Sequence, residues 1–459
     1  VSELATLSAH RLRALVARRE ASPVEIVEAT LRRTEAHAHL NAVVVLLSDE
    51  ATERARDAEA AVMRGETLGP LHGVPVTIKD IQAVAGWPTR RGSTLSDPAP
   101  AAEDAPSVAR LRAAGAIIVA KTTSSEHGWT ATSDSPLTGA THNPWRQGLT
   151  AGGSSSGAAA LAAAGCAALH LGTDGAGSVR LPAHFCGVVG FKPTYGTVPY
   201  VPVPNNGALS HIGPIARDVA DAALMLRAMA GLHPADHTTF PIAPDAFDAT
   251  PSLRGLRIGY SPDLGHARVD PEVAAPVAAA ARALEVLGAR VEQVTPPWGR
   301  QGPELMRALW GAPLLAFRTD DAARQDPGLA ACIAEAAGLT LADVAAAQAR
   351  RIAYARAVGE WFAGGFDLLL TPAASVTAFP VGRLRPAHWP EHTWDWLVWA
   401  EFSYPFNLSH GPAISIPCGL TPDGLPVGLQ LAGPRHADAR VLAAAAAYLA
   451  AHPPPPRAR

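Results

Sequence analysis

Of the 38 basic residues in this 459-residue chain only three are lysine: Lys79, Lys121 and Lys192. Arginine keeps its proton in any protein environment, whereas a buried lysine can surrender its proton and act as a base. Lysines retained in an arginine-rich chain therefore ask for a reason. Lys79 closes the alternating stretch Val74 to Ile78, Lys121 closes the apolar run Ala116 to Ala120, and Lys192 sits in Gly190-Phe191-Lys192-Pro193. Lys79 is the best-placed base, because a strand end followed by a turn presents a side chain into a cleft.

Two small-residue segments could supply a nucleophile. The first is Thr150 to Gly157, with Gly152-Gly153-Ser154-Ser155-Ser156-Gly157 opening an Ala-rich helix. It reads as a Gly turn with a Ser N-cap. A phosphate loop is excluded, because the Walker pattern needs Gly-Lys-Ser/Thr and no lysine is present. Gly153 to Gly157 also fits G-x-S-x-G with Ser155 as an esterase-type nucleophile, yet that elbow requires an apolar strand before it, and Asn143 to Gly152 is polar and Gly-rich. The second segment, Gly172-Thr173-Asp174-Gly175-Ala176-Gly177-Ser178-Val179-Arg180, lets successive N–H groups converge ahead of Ser178 as an oxyanion cradle. Ser178 has no S-x-x-K partner, since Val76, Ile118 and Val189 stand three residues before the lysines, so its base comes from distant sequence.

Together, Gly73 to Asp80, Gly152 to Gly157 and Asp174 to Arg180 resemble the amidase signature family, in order and in the 24-residue step from Ser154 to Ser178. Supporting segments are Val119 to Thr122 with Glu126, Phe185 to Thr194, Gly213 to Arg217, Phe366 to Pro372 and Pro412 to Gly419. The likeness is dense over about 20–230, thin over 240–360 and moderate over 366–436. It implies an amide hydrolase with Ser178 as nucleophile, Ser154 as bridging serine after a cis Gly153–Ser154 bond, and Lys79 as base. The backbone N–H groups of Gly175, Ala176, Gly177 and Ser178 would hold the oxyanion, and Asp174 and Arg180 would brace the loop. Neutral Lys79 would draw a proton from Ser154, and Ser154 one from Ser178, which then attacks the carbonyl. Ala176 replaces a common Gly of the family, and its methyl is expected to narrow the oxyanion pocket. His184 stands where a small residue is usual.

Substrate is the least legible feature. Trp389, Trp394, Trp396 and Trp399 crowd one stretch, followed by Phe402, Tyr404 and Phe406. The spacing suits core packing; the alternative is an aromatic pocket in which Trp129, His184, Trp394 and Trp399 meet an apolar or aryl group. Near this stretch the charged residues are few (Glu391, Asp395 and Glu401), which argues against a strongly anionic substrate. The expected ligand is a small-molecule amide or carbamate, with ester cleavage alongside. The runner-up is the glutaminase A subunit of a glutamyl-tRNA(Gln) amidotransferase, from which Glu126-His127-Gly128-Trp129 departs; a scaffold that has lost catalysis is disfavoured by the intact Lys79, Ser154 and Ser178.

The elements that must position these groups alternate between strand and helix, the mark of an α/β protein. Strands are predicted at 74–78, 116–120, 256–260, 366–370, 413–417 and 427–431. Helices are predicted at 107–114, 157–169, 271–287 and 437–449, and Ser22-Pro23-Val24-Glu25 predicts a capping box. The resemblance implies a single large domain over 1–452 with a central mixed β-sheet covered by helices on both faces. Within it, 1–65 is N-terminal helices, 66–235 the catalytic core, 243–365 a peripheral subregion and 366–452 a return to the core, with a flexible tail at 453–459. Hydrophobic residues make up 48%, enough for a large core, and the net charge of −3 without a basic run argues against nucleic-acid binding. Four dispersed cysteines exclude a disulfide framework or zinc ribbon, and no metal or cofactor motif is present. The apolar run 158–169 is too short to span a bilayer. A cytoplasmic monomer or homodimer is the expectation, with a leader left open because the first residue is Val1.

Overall fold

The computed structural model describes residues 3–204, 206–243, 245–248, 250–389 and 394–454. Residues 455–459 of the expected tail, Val1 and Glu391 lie outside the described residues. Eleven strands form one sheet: β1 (Val43–Leu46), β2 (Pro75–Lys79), β3 (Ile117–Thr122), β4 (Leu169–Asp174), β5 (Val189–Lys192), β6 (His211–Ala216), β7 (Arg257–Tyr260), β8 (Arg290–Gln293), β9 (Leu368–Pro372), β10 (Ala413–Leu420) and β11 (Pro426–Ala432). Their order is β1-β3-β2-β4-β6-β5-β10-β11-β9-β7-β8. The sheet is mixed: β2 runs parallel to β3 and β4, β7 parallel to β8 and β9, and the middle is antiparallel.

Side chains alternate across each strand, so a sheet covered on both faces reads as continuous apolar sequence. Strand β9 shows this directly. Leu368 and Leu370 join one core with Val76, Ile78 and Leu171, while Leu369 joins a second core with Trp310, Trp396 and Trp399. The Ala-rich helix Ser156–Ala164 packs closely because methyl groups are nearly all it carries, and every residue in it is buried.

The predicted capping box is present: Ser22 Oγ accepts from Val24 N–H and Glu25 accepts from Ser22 N–H at the start of Pro23–Ala36. The Ala-rich helix is shorter than predicted. It stops at Ala164 because Gly165 takes a left-handed cap, and Leu169 begins β4 instead of ending a helix. The region 243–365 is less peripheral than its thin resemblance suggested. It supplies β7 and the edge strand β8, and its helix Gly302–Leu314 reaches the candidate site. Among the described residues no single helix is long and apolar enough to cross a membrane; Pro327–Ala336 and Leu341–Ala363 pass such a test only together, and they are bent by 100°.

Candidate active site

All three lysines are fully buried, but only Lys79 faces the serine hydroxyls. Strand β2 delivers Lys79 beside β4, and the turn ahead of Ser156–Ala164 delivers Ser154 and Ser155. Lys79 Nζ lies 2.7 Å from Ser154 Oγ, 3.0 Å from Ser155 Oγ and 2.9 Å from Thr173 Oγ1. The Gly153–Ser154 peptide is cis, as the resemblance implied. Burial pushes the Lys79 pKa well below its ordinary value, against a smaller upward pull from Asp174.

A neutral amine has two hydrogens and one lone pair, so one of these three hydroxyls must donate to it. Ser155 is excluded, because its hydroxyl donates to Thr173 O at 3.2 Å. Ser154 and Thr173 remain as the hydroxyls able to donate to a neutral Lys79, and Ser154 Oγ has no other partner among the described residues. Ser155 Oγ is fully buried and tied to Lys79 and Thr173, which argues against an elbow nucleophile. The other two lysines have structural roles. Lys121 pairs with Asp80 at 2.6 Å, and Lys192 donates to the carbonyls of Pro193 and Gly411.

Ser154 and Ser178 line one cleft of about 290 Å³. Their hydroxyls share no direct hydrogen bond in this state, although Ser155 N–H donates to Ser178 O at 3.2 Å. Catalytic contacts of this kind often close only with substrate in place. The loop before Ser178 hangs on Asp174. Its carboxylate accepts from Gly177 N–H (2.8 Å), Val179 N–H (3.2 Å), Arg180 Nε (2.9 Å), Arg180 Nη2 (2.8 Å) and Asn407 Nδ2 (2.9 Å). The Arg180 guanidinium overcomes the cost of burial and holds the Asp174 carboxyl well below the usual carboxylate range. Arg180 in turn reaches Ser403 O, Gln430 and Asn407, tying the loop to β11 and to the helix Pro405–Leu408.

This arrangement divides the expected oxyanion donors. Gly177 N–H already belongs to Asp174, whereas the N–H groups of Gly175, Ala176 and Ser178 have no acceptor among the described residues. Gly177 has φ +111°, and a Cβ there would collide with Ser403 Oγ, so only glycine fits. The Ala176 methyl does not narrow the pocket: it is buried in the apolar core behind the cleft, at a residue without a positive φ.

The expected aromatic pocket is corrected. Trp129, Trp394 and Trp399 are fully buried and do not line the cleft. They belong to the core behind its wall, where the Trp129 carbonyl accepts from Trp310 Nε1 at 3.0 Å and Trp396 packs edge-on to Trp310 at 5.9 Å. His184 is equally remote. Its Nδ1 accepts from Gly428 N–H and its Nε2 donates to Val376 O, with burial lowering its pKa to about 4, so it is a neutral packing residue. The wall is built instead by Trp310, Leu314 and Phe317 from the thinly matched region, by Tyr200, and by Arg91 and His127. His127 stacks on Phe317 at 3.9 Å, and burial together with Arg91 lowers its pKa to about 4. The few charges near the Trp stretch therefore say nothing about the charge of the substrate, because that stretch does not line the cleft. A usable signal lay in Thr89-Arg90-Arg91-Gly92, where Arg91 stands twelve residues past Lys79 at a glycine turn.

The amidase family model matches residues 25–442, and the chain belongs to that family of amide-cleaving hydrolases. It is 40% identical over 464 residues to an acylamidase of Rhodococcus erythropolis, covering 97% of this chain and 96% of that protein. It is 36% identical to the A subunit of the glutamyl-tRNA(Gln) amidotransferase of Symbiobacterium thermophilum, covering 96% of each chain. The crystal structure of a bacterial aryl acylamidase of the amidase signature enzymes superposes with a TM-score of 0.91 at 31% identity, over 98% of this chain and 96% of that one.

Proposed function

We propose that the chain is a stand-alone hydrolase of small to medium apolar or aryl amides, acting through an acyl-enzyme on Ser178. The observation that carries this reading is the fully buried Lys79, its amine 2.7 Å from Ser154 Oγ, opening onto a cleft shared with Ser178 and walled by Trp310 and Phe317. Neutral Lys79 accepts the Ser154 proton, Ser154 accepts that of Ser178, and Ser178 Oγ adds to the carbonyl carbon. The N–H groups of Gly175, Ala176 and Ser178 stabilise the oxyanion; each such donor contributes on the order of 3 kcal/mol in comparable sites. Collapse of the adduct breaks the C–N bond as the relay returns a proton to the leaving amine. Water then cleaves the ester, with its proton taken along the same path, releasing the acid and regenerating Ser178.

Carbamates and esters present the same carbonyl and fall within this chemistry. The protein acts without cofactor, nucleic acid or membrane, as a cytoplasmic monomer or homodimer. A second reading, the glutaminase of an amidotransferase, draws on the 36% identity to one such relative. Turnover of 4-nitroacetanilide and of an aryl carbamate by the isolated chain, with no turnover of glutamine, is the expected result. Turnover of glutamine alone, and only with a partner protein present, would overturn the stand-alone reading.

A further inference from the structure

Among the described residues Arg91 is the only Asp, Glu, Lys or Arg side chain lining the cleft, and its guanidinium has neither an ion-pair partner nor a hydrogen bond there. Two other interior cations are engaged. Arg180 is saturated by Asp174 and its neighbours, and Lys121 takes Asp80, the carboxylate whose backbone holds the Arg91 loop. The loop is held firmly. Arg91 N–H donates to Asp80 O at 3.0 Å, Arg91 O accepts from His127 N–H at 2.7 Å, and the residue sits at φ +53° beside Gly92, where a Cβ would lie 2.6 Å from Ser124 O. A half-buried arginine on a fixed backbone, without a counter-charge, in a cleft that sets the rings of Tyr200, Trp310 and Phe317 beside the hydroxyls of Ser154, Thr173, Ser178 and Ser210, presents its charge to an anion. A guanidinium matches a carboxylate with two parallel hydrogen bonds, and low-dielectric walls strengthen that pairing.

Resting on the hydrolase reading above, we infer that Arg91 is a specificity-determining residue that selects amides bearing a carboxylate, anchored there while the scissile carbonyl meets Ser178. The carboxylate belongs either to the acyl group or to the leaving amine. Two matched pairs distinguish these sources: 4-acetamidobenzoate against the neutral, similarly shaped 4-nitroacetanilide for the amine side, and succinanilate against butyranilide for the acyl side. Each is assayed with the wild type, Arg91→Gln and Arg91→Lys. Arg91→Gln is expected to lower kcat/KM for one carboxylate substrate about tenfold more than for its neutral counterpart, chiefly through KM, with Arg91→Lys recovering part of the loss. The affected pair identifies the side, and added salt raises KM for that carboxylate substrate alone. Equal proportional losses within both pairs would overturn the inference, as would a wild type that cleaves the neutral anilides and neither acid, a result that leaves the hydrolase reading standing. If none of the four anilides is cleaved while glutamine is, the hydrolase reading fails and takes the inference with it.

Discussion

Asp174→Asn tests how the loop before Ser178 is held. The carboxylate accepts five hydrogen bonds and neutralises a guanidinium buried as completely as itself. The asparagine amide keeps the shape but offers one oxygen and turns an NH₂ group toward donors. It therefore loses bonds on one side and leaves Arg180 without its counter-charge. Removing one partner of a buried ion pair costs about 3–5 kcal/mol, because the other charge remains desolvated. Equilibrium urea unfolding of the variant should show a loss of that size at unchanged m. Freeing Gly177 N–H also displaces the oxyanion donors, so kcat should fall about a hundredfold. The pair term is separable: Asp174→Asn combined with Arg180→Met should cost less than the sum of the two single variants, since the double variant leaves no unpaired charge. A single Asp174→Asn variant within about 1 kcal/mol of wild type and within about tenfold in kcat would refute the reasoning.

Three further outcomes follow from the same geometry. An alkyl fluorophosphonate should give one adduct, on Ser178, lost in Ser178→Ala and retained in Ser155→Ala; peptide mapping reads this, and an adduct on Ser155 would restore the elbow reading. Gly177→Ala forces a methyl into Ser403 Oγ at φ +111°, so urea unfolding should show a loss of about 1–3 kcal/mol and the enzyme should be silent. Because Asp174 has its folded pKa depressed, its contribution to stability is present above the ordinary carboxylate range near pH ~4 and lost as pH falls through the folded value. Urea midpoints measured across acid pH should drop for the wild type and drop less for Asp174→Asn.

The candidate catalytic groups were legible because each lies in a short segment whose composition is fixed by backbone demands. Gly177 must adopt a conformation other residues avoid, Asp174 must meet the N–H groups of Gly177 and Val179, and Lys79 must end a strand buried on both faces. The strands carrying apolar runs, such as β3 and β9, were readable for the same reason. Strands β4 and β6 were missed because His170, Gly172, Gly213 and Pro214 break the apolar pattern within them. The cleft wall was the larger gap. Trp394 and Trp399 share their chemistry with Trp310, and only the path of the helix Gly302–Leu314 decides which tryptophan meets the cleft. His184 suggested function by its type, yet its two ring nitrogens are satisfied by backbone.

The rate at which the fluorophosphonate modifies Ser178, followed against pH, probes the lysine-driven relay most directly. With burial favouring the neutral amine of Lys79, the rate should climb with rising pH and level off, with a midpoint well below the ~10.4 of an ordinary lysine. Lys79→Arg should be slow at every pH, since the guanidinium cannot accept the proton. A flat profile in the wild type, or a Lys79→Arg protein labelled at the wild-type rate, would contradict the account.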